Sequence, residues 1–209
     1  MRYELHCHST YSDGTATPQE IVSYAKRMGL AGIAVTDHDA IAGSLAALEY
    51  ATDSFRVVPA VEVSSTDGHI LALGVRELVE KDMPARKTVD AIHALGGMAI
   101  AAHPYDRWRT GVGDLILKLP FDAVEVCNGH TFGNRKDPVR ACLEGGLPMV
   151  GGSDAHTPNE IGLVTVEFEG TLESAVKSRR IKVVSKPVHE LVFTHGAGML
   201  KRRLKGIIR

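Results

Sequence analysis

Tyr3-Glu-Leu-His6-Cys7-His8 stands at the head of the chain, a short extended run that ends abruptly in polar residues. In an extended chain, residues two apart point to the same side, so His6 and His8 present both imidazoles to one point while Cys7 turns into the wall. Taken alone the pair decides little, because a metal ion needs three or four convergent donors. The same event then recurs. Apolar runs follow at Gly32 to Thr36, Arg56 to Val61, Ile70 to Val75, Gly97 to Ala102, Ala123 to Cys127, Met149 to Gly152 and Leu163 to Phe168, each closing in polar residues. Several are continuously apolar, as expected of parallel strands buried on both faces.

Helix patterns lie between these runs. Thr17-Pro-Gln-Glu20 supplies a capping residue, a proline at the first helical position and a glutamate three residues on, before apolar Ile21, Val22, Ala25 and Met28 and a stop at Gly29. Further helices are expected from about Ile41 to Thr52, Thr88 to Leu95, Pro138 to Glu144 and Leu172 to Ser178. Strand and helix units repeated without a linker predict an α/β protein, a sheet or barrel forming a single domain over residues 1–209. At the end, Leu200, Leu204, Ile207 and Ile208 fall at helical spacing among basic residues. They predict an amphipathic basic helix at about 197–209, docked by its apolar stripe, with an RNA- or membrane-contacting tail as the alternative.

Composition agrees with a soluble globular protein: 44% of the 209 residues are hydrophobic and 23% charged. With 24 Lys and Arg against 25 Asp and Glu, overall charge gives no support for a general nucleic-acid binder. No apolar run is long enough to span a bilayer and the N-terminus lacks a secretion-type stretch, so the expectation is a cytoplasmic, non-membrane protein. Three cysteines without CxxC spacing exclude a disulfide framework and predict reduced thiols. The composition is unusual in its ten histidines.

Their placement is informative. The second strand candidate ends in Thr36-Asp37-His38-Asp39, the third in Val61-Glu62-Val63, the fifth in Ala102-His103-Pro104, the sixth in Glu125-Val-Cys-Asn128 and the seventh in Gly152-Ser-Asp154-Ala-His156. If the strands form a parallel barrel, these ends share one rim, where active sites of such folds sit. His69 precedes its strand, but Ser64-Ser-Thr-Asp-Gly68 reads as a hairpin, and an antiparallel fourth strand would start at that same rim. Imidazoles and carboxylates gathered there are costly to bury without cations. The candidate ligands are His6, His8, Asp13, His38, Glu62, His69, His103, Asp154 and His156, too many for one ion, and a shared carboxylate is expected to hold several. Taken singly, several have plainer roles: Asp13 as a turn residue, Asp37 or Asp39 as a helix cap, His103 as a capped histidine. His130 lies near the rim; His93, His189 and His195 fall outside the pattern. Cys127, two residues from Glu125, is expected on the same face.

These motifs, running in order from His6-Cys-His8 through Ser12-Asp-Gly14 to Ser153-Asp-Ala-His156, resemble the PHP (polymerase and histidinol phosphatase) family of metal-dependent phosphoesterases. The resemblance implies a distorted seven-stranded TIM-like β/α barrel with two to three divalent transition metals, manganese, iron or zinc. It implies one ion at His6, His8, Glu62 and Asp154, a second at Glu62, His69 and His103, and a third at Asp13, His38 and His156. Some members have histidine where Asp13 stands. Only Tyr105 to Leu119 occupies the place of an inserted domain found in others, which implies a compact, open site. The activity expected is hydrolysis of a phosphomonoester of a small metabolite or nucleotide, with Glu62, Asp154 and His156 catalytic. Arg135, then Arg107 and Arg109, with Asn128, are expected to hold the phosphate; the plainer role of these arginines is a solvated loop charge. Competing expectations are a 5′-3′ exonuclease on short RNA or DNA, a metal-dependent amidohydrolase and a non-catalytic metal-binding module. No obligate protein partner is expected.

Overall fold

The computed structural model describes residues 1–204. Strands β1 (Arg2–Glu4), β2 (Gly32–Val35), β3 (Arg56–Ser65), β4 (Gly68–Leu73), β5 (Met98–Ala101), β6 (Ala123–Asn128), β7 (Met149–Gly152), β8 (Val164–Phe168) and β9 (Ile181–Ser185) form one sheet in the order β7-β6-β5-β4-β3-β2-β1-β8-β9. β7 also packs against β8 and β9, so the sheet is nearly closed into a barrel. The β1–β2, β2–β3, β5–β6 and β6–β7 pairs are parallel. The β3–β4–β5 meander and the β1–β8 and β8–β9 pairs are antiparallel. This is the expected TIM-like α/β architecture, with an extra strand, β9, that the sequence pattern did not expose. Its residues are at best half-buried, so Ile181-Lys-Val-Val-Ser185 carries no clear inside-outside alternation.

Helices α1 (Pro18–Arg27), α2 (Ala42–Leu48), α3 (Ala85–Ala94), α4 (Pro138–Gly145), α5 (Leu172–Lys177) and α6 (Val188–Leu204) complete the chain. α1 begins at the capping box read from sequence: Thr17 N–H donates to Glu20 Oε2 at 2.8 Å, and Glu20 N–H returns to Thr17 Oγ1 at 3.3 Å. Its buried stripe is Ile21, Val22 and Ala25. α6 starts well before the expected position near residue 197, and Leu200 is exposed while Arg202 is buried. The docking by a Leu200 stripe is therefore corrected; residues 205–209, with Ile207 and Ile208, lie outside the described residues.

The barrel interior is one apolar cluster drawn from all of the first eight strands, among them Tyr3, Ala34, Ala60, Leu71, Ile100, Ala123, Val150 and Val166. The expected hairpin is present: β3 and β4 pair from Ser65↔Gly68 to Ala60↔Leu73, which leaves only Thr66 and Asp67 as the turn. Gly68 has φ +145°, and a Cβ there would meet the Val112 nitrogen at 2.5 Å. At the end of β7 the constraint is tighter, because a Cβ on Gly152 would collide with the Cβ of His6. Substituting Gly152→Ala is expected to push His6 away and to cost about 1–3 kcal/mol; a lowered thermal midpoint together with reduced bound metal is the expected observation, and unchanged values for both would contradict the packing.

Candidate metal centre

The interior layer explains how the polar residues reach the rim. Side chains two apart on a strand share a face, so one step beyond Ala60 on β3 comes Glu62, one step before Leu71 on β4 comes His69, and one step beyond Ala123 on β6 comes Glu125. The extensions beyond β1 and β7 then pair with each other. His8 N–H bonds the Ala155 carbonyl at 2.7 Å, Ala155 N–H bonds the His6 carbonyl at 3.2 Å, and Thr15 N–H bonds the His156 carbonyl at 2.8 Å. That ladder sets His6, His8, Asp154 and His156 side by side, and a bridge between His38 and Glu62 joins the next strands to them.

Glu62 is the hub. Its Oε2 lies 3.1 Å from His6 Nε2, 3.3 Å from His8 Nε2 and 3.3 Å from His38 Nδ1. Its Oε1 lies 3.0 Å from His69 Nδ1 and 3.3 Å from His103 Nε2. Asp154 Oδ1 is 3.1 Å from His8 Nε2 and 3.5 Å from His6 Nε2. Asp13 Oδ2 is 3.2 Å from His156 Nε2. All nine sequence-derived ligand candidates are thus gathered at one centre. Donor atoms within 4.8 Å of one another occur in the sets His6, His8, Asp154; His38, Glu62, His69; and His8, Asp13, His38, His156.

Several buried groups aim these rings. Glu125 Oε1 takes His6 Nδ1 at 3.0 Å and its Oε2 takes the His103 N–H at 2.8 Å, leaving His6 Nε2 directed at Glu62 and Asp154. His156 Nδ1 donates to the Asp154 carbonyl at 2.7 Å, which leaves Nε2 for Asp13. Glu4 lies beneath, accepting the N–H groups of His6, Ser153 and Gly162 at 3.1, 2.8 and 3.0 Å, while burial pushes its carboxyl up to about 7. Asp37 does not cap α2; it accepts from Ser9 N–H, Ser9 Oγ and Ser12 Oγ, each at 2.7 Å, and so fixes the loop carrying Asp13. Asp154 at φ 55° and His103 at φ 27° adopt left-handed backbone that side-chain-bearing residues rarely take. Such strain, on the order of 1–3 kcal/mol each, persists only where surroundings enforce it.

The ionised carboxylates dominate the charge balance of the cluster. Burial by itself would lower His6, yet the carboxylates of Asp154, Glu62 and Glu125 outweigh it and raise the imidazole well above its ordinary value. Burial would raise Glu62 and Asp154, but surrounding His6, other histidines and, for Asp154, Arg109 hold both well below the carboxylate range. Burial, helped by the neighbouring His156, lowers His8 to about 3. Nδ1 of His8 and of His103 and Oδ1 of Asp13 are buried with no hydrogen-bond partner. Mixed imidazole and carboxylate donors with orphaned atoms fit divalent transition metals.

Asp13, His38, Glu62, His69, His103, Asp154 and His156 line a cavity of about 220 Å³ together with Arg109, His130 and Arg202. Arg109 pairs with Asp154, and its Nη2 reaches Asp106 Oδ2 and Asn128 Oδ1 at 3.0 Å each. Asn128 Nδ2 in turn donates to Glu125 at 2.9 Å and Asp154 at 3.2 Å, so it braces both carboxylates. Arg135 and Arg107 are exposed outside the lining, with Arg135 Nε donating to the Asp106 carbonyl at 3.0 Å. Arg202, on α6, pairs with Asp13 and had no motif to mark it. A β-bulge between Glu125 and Cys127 breaks the alternation, so Cys127 packs with Leu163, Val164 and Leu191 instead of facing the site.

Residues 4–108 match the model of the PHP domain family, and residues 139–177 match a model described as PHP-associated. An uncharacterised protein of Methanocaldococcus jannaschii is 32% identical over 142 residues, covering 62% of this chain and 83% of that protein. A phosphoribosyl 1,2-cyclic phosphate 1,2-diphosphodiesterase of Eggerthella lenta is 41% identical over 84 residues, and a 5′-3′ exoribonuclease of Salmonella typhimurium 38% identical over 80. Those stretches cover 37% and 35% of this chain but only 32% and 27% of those two proteins. Among solved structures, a two-domain protein of Bacteroides vulgatus containing a predicted PHP-like metal-dependent phosphoesterase superposes with TM-score 0.73 at 20% identity, over 88% of this chain and 64% of that one. No helix among the described residues is long and apolar enough to cross a membrane.

Glu62→Gln is expected to lower bound metal and cut turnover by at least about 100-fold, whereas His189→Ala, at an exposed position on α6, should change neither; elemental analysis of the two variants tests this, and equal effects would contradict the assignment. Because His6 is held protonated above the ordinary range and ligation needs the neutral ring, cation uptake should expel protons and tighten as pH rises through neutrality. Calorimetric titration in buffers of different ionisation enthalpy reads that release directly, and heats independent of buffer would contradict it.

Proposed function

The chain belongs to the PHP domain family, and on that premise we propose that it is a metal-dependent phosphoesterase that hydrolyses a phosphomonoester of a small metabolite or nucleotide. The observation that carries this reading is the joining of a carboxylate-imidazole cluster with two arginines, Arg109 and Arg202, in one small cavity. His6, His8, Glu62 and Asp154 would hold one cation, Glu62, His69 and His103 a second, and Asp13, His38 and His156 a third. Bound divalent cations supply Lewis acidity to the phosphoryl oxygens and ease the deprotonation of water. Manganese, iron and zinc all suit these donors.

The chain's own residues supply placement. Glu62 and Asp154, both held ionised, give the cavity floor its negative charge and its catalytic core. Arg109 is held by Asp106, Asn128 and Thr131 through Nε and Nη2, which leaves Nη1, the atom paired with Asp154, as its group placed to meet a phosphate oxygen, and Arg202 faces the same space. His156 Nε2, next to Asp13 at 3.2 Å, serves as a ligand atom with a cation there and otherwise is placed to give a proton to the leaving oxygen. Arg107 and Arg135, on the exposed loops around the cavity, would act only on the distal part of a substrate.

A second reading, 5′-3′ exonuclease action on short RNA or DNA, is favoured by the similarity to the Salmonella typhimurium exoribonuclease and by the basic stretch at the end of α6. Backbone contacts release counterions, so that activity would fall steeply with salt. Phosphorylated metabolites and short oligonucleotides assayed with manganese should show turnover of a small phosphomonoester that is only weakly salt-dependent. Arg109→Ala should raise KM about 10–100-fold, as loss of a hydrogen bond to a charged group implies, with bound metal retained. An unchanged KM, or turnover of amides and of no phosphoester, would overturn the proposal.

A further inference from the structure

α6 crosses the barrel rim with little apolar purchase. Leu191 is buried beside Leu163 and Val164, while Val188, Val192, Phe193, Met199 and Leu200 are exposed. What the helix offers the barrel is mostly polar. The His195 ring meets His130 edge-on with centroids 4.2 Å apart, and Gly198 lies so near Glu160 that a Cβ would strike the carboxylate.

His130, Glu160 and His195 come from three separate segments: the loop after β6, the 3-10 turn Pro158–Glu160, and α6. Each offers a donor atom, and these lie within 4.8 Å of one another. Glu160 is fully buried, and its Oε2 accepts the N–H groups of His156 and Thr157 at 2.8 and 2.7 Å. Its Oε1 accepts no hydrogen bond, His130 Nε2 sits 3.4 Å away without making one, and His195 Nδ1 is also buried without a partner. Three orphaned polar atoms facing one small space carry a desolvation penalty that an ordinary His–Glu pair relieves only in part, since it leaves His195 unaccounted for. Two imidazoles and a carboxylate are a donor set that zinc and its neighbours accept readily.

We propose that His130, Glu160 and His195 form a divalent-cation site separate from the Glu62 centre, which pins α6 to the barrel rim. His130 stands on the border, its ring stacked on His156 at 5.0 Å and its donor also within reach of Asp154 and His156. His195 belongs to the proposed site alone among the candidate groups. A cation there would hold α6, and with it Arg202, over the cavity, so the site ties the helix's attachment to metal supply.

The test uses the full chain loaded with Co(II) by dialysis, with bound cobalt read by elemental analysis and by its visible absorption. His195→Ala should hold about one equivalent less than the unmodified chain. The same difference should persist in a Glu62→Gln background, which separates this site from the Glu62 centre. Removing metal should speed proteolytic cleavage within 188–204 in the unmodified chain but not in His195→Ala. His195→Gln, closer to the native side chain in size, serves if the alanine variant does not fold. Equal cobalt content in the unmodified chain and either folded variant overturns the proposal, as does loss of all bound cobalt on changing His195 alone.

Discussion

One buried carboxylate governs this molecule. Glu62, 1% exposed, has five imidazole nitrogens within 3.0–3.3 Å of its two oxygens, those of His6, His8, His38, His69 and His103. Five rings cannot all satisfy themselves by donating to one carboxylate, and two of their other nitrogens, Nδ1 of His8 and of His103, have no partner. A cluster so built is unfavourable without positive charge, because neutral rings leave lone pairs unpaired and protonated rings repel one another. Divalent cations would resolve both problems, and a shared carboxylate surrounded by imidazoles is an arrangement compatible with them.

The barrel exists, in this view, to bring those donors together. Strands β3, β4 and β6 each contribute an apolar residue to the interior and a polar one, Glu62, His69 or Glu125, a step further toward the rim, and the antiparallel β4 reverses direction so that His69 reaches the rim from its first residues. Glu4, Glu125, Asp37 and Asn128 then fix ring tautomers and loop positions. The left-handed backbone at Asp154 and His103 is where the chain leaves regular strand geometry to turn a polar side chain inward.

Most of the fold, and the gathering of the candidate residues at one rim, was legible because it depends on local pattern. His6-Cys-His8 needs only the two-residue period of a strand, Thr17-Pro-Gln-Glu20 needs only the first turn of a helix, and the polar ends of the apolar runs announce a common rim. What escaped depends on contacts remote in sequence. Glu4 looked like a strand residue, and its role rests on Ser153 and Gly162. Arg202 lies in a basic helix where nothing separates it from its neighbours, and only the path of α6 brings it to Asp13. Arg135 had favourable neighbours in sequence but lies on the exposed face of its loop, while Arg109, three residues from Asp106, is folded back by that carboxylate toward Asp154. Cys127 followed the alternation until a bulge reversed it.

Anomalous diffraction from crystals loaded with manganese or zinc, recorded at the metal's absorption edge, tests the central claim most directly. The account predicts at least two peaks roughly 3.5–4 Å apart, with the Glu62 carboxylate between them and His6, His8, His69, His103 and Asp154 around them. A map with no peak within bonding distance of Glu62, or with metal bound only at sites that leave Glu62 uncoordinated, would contradict it.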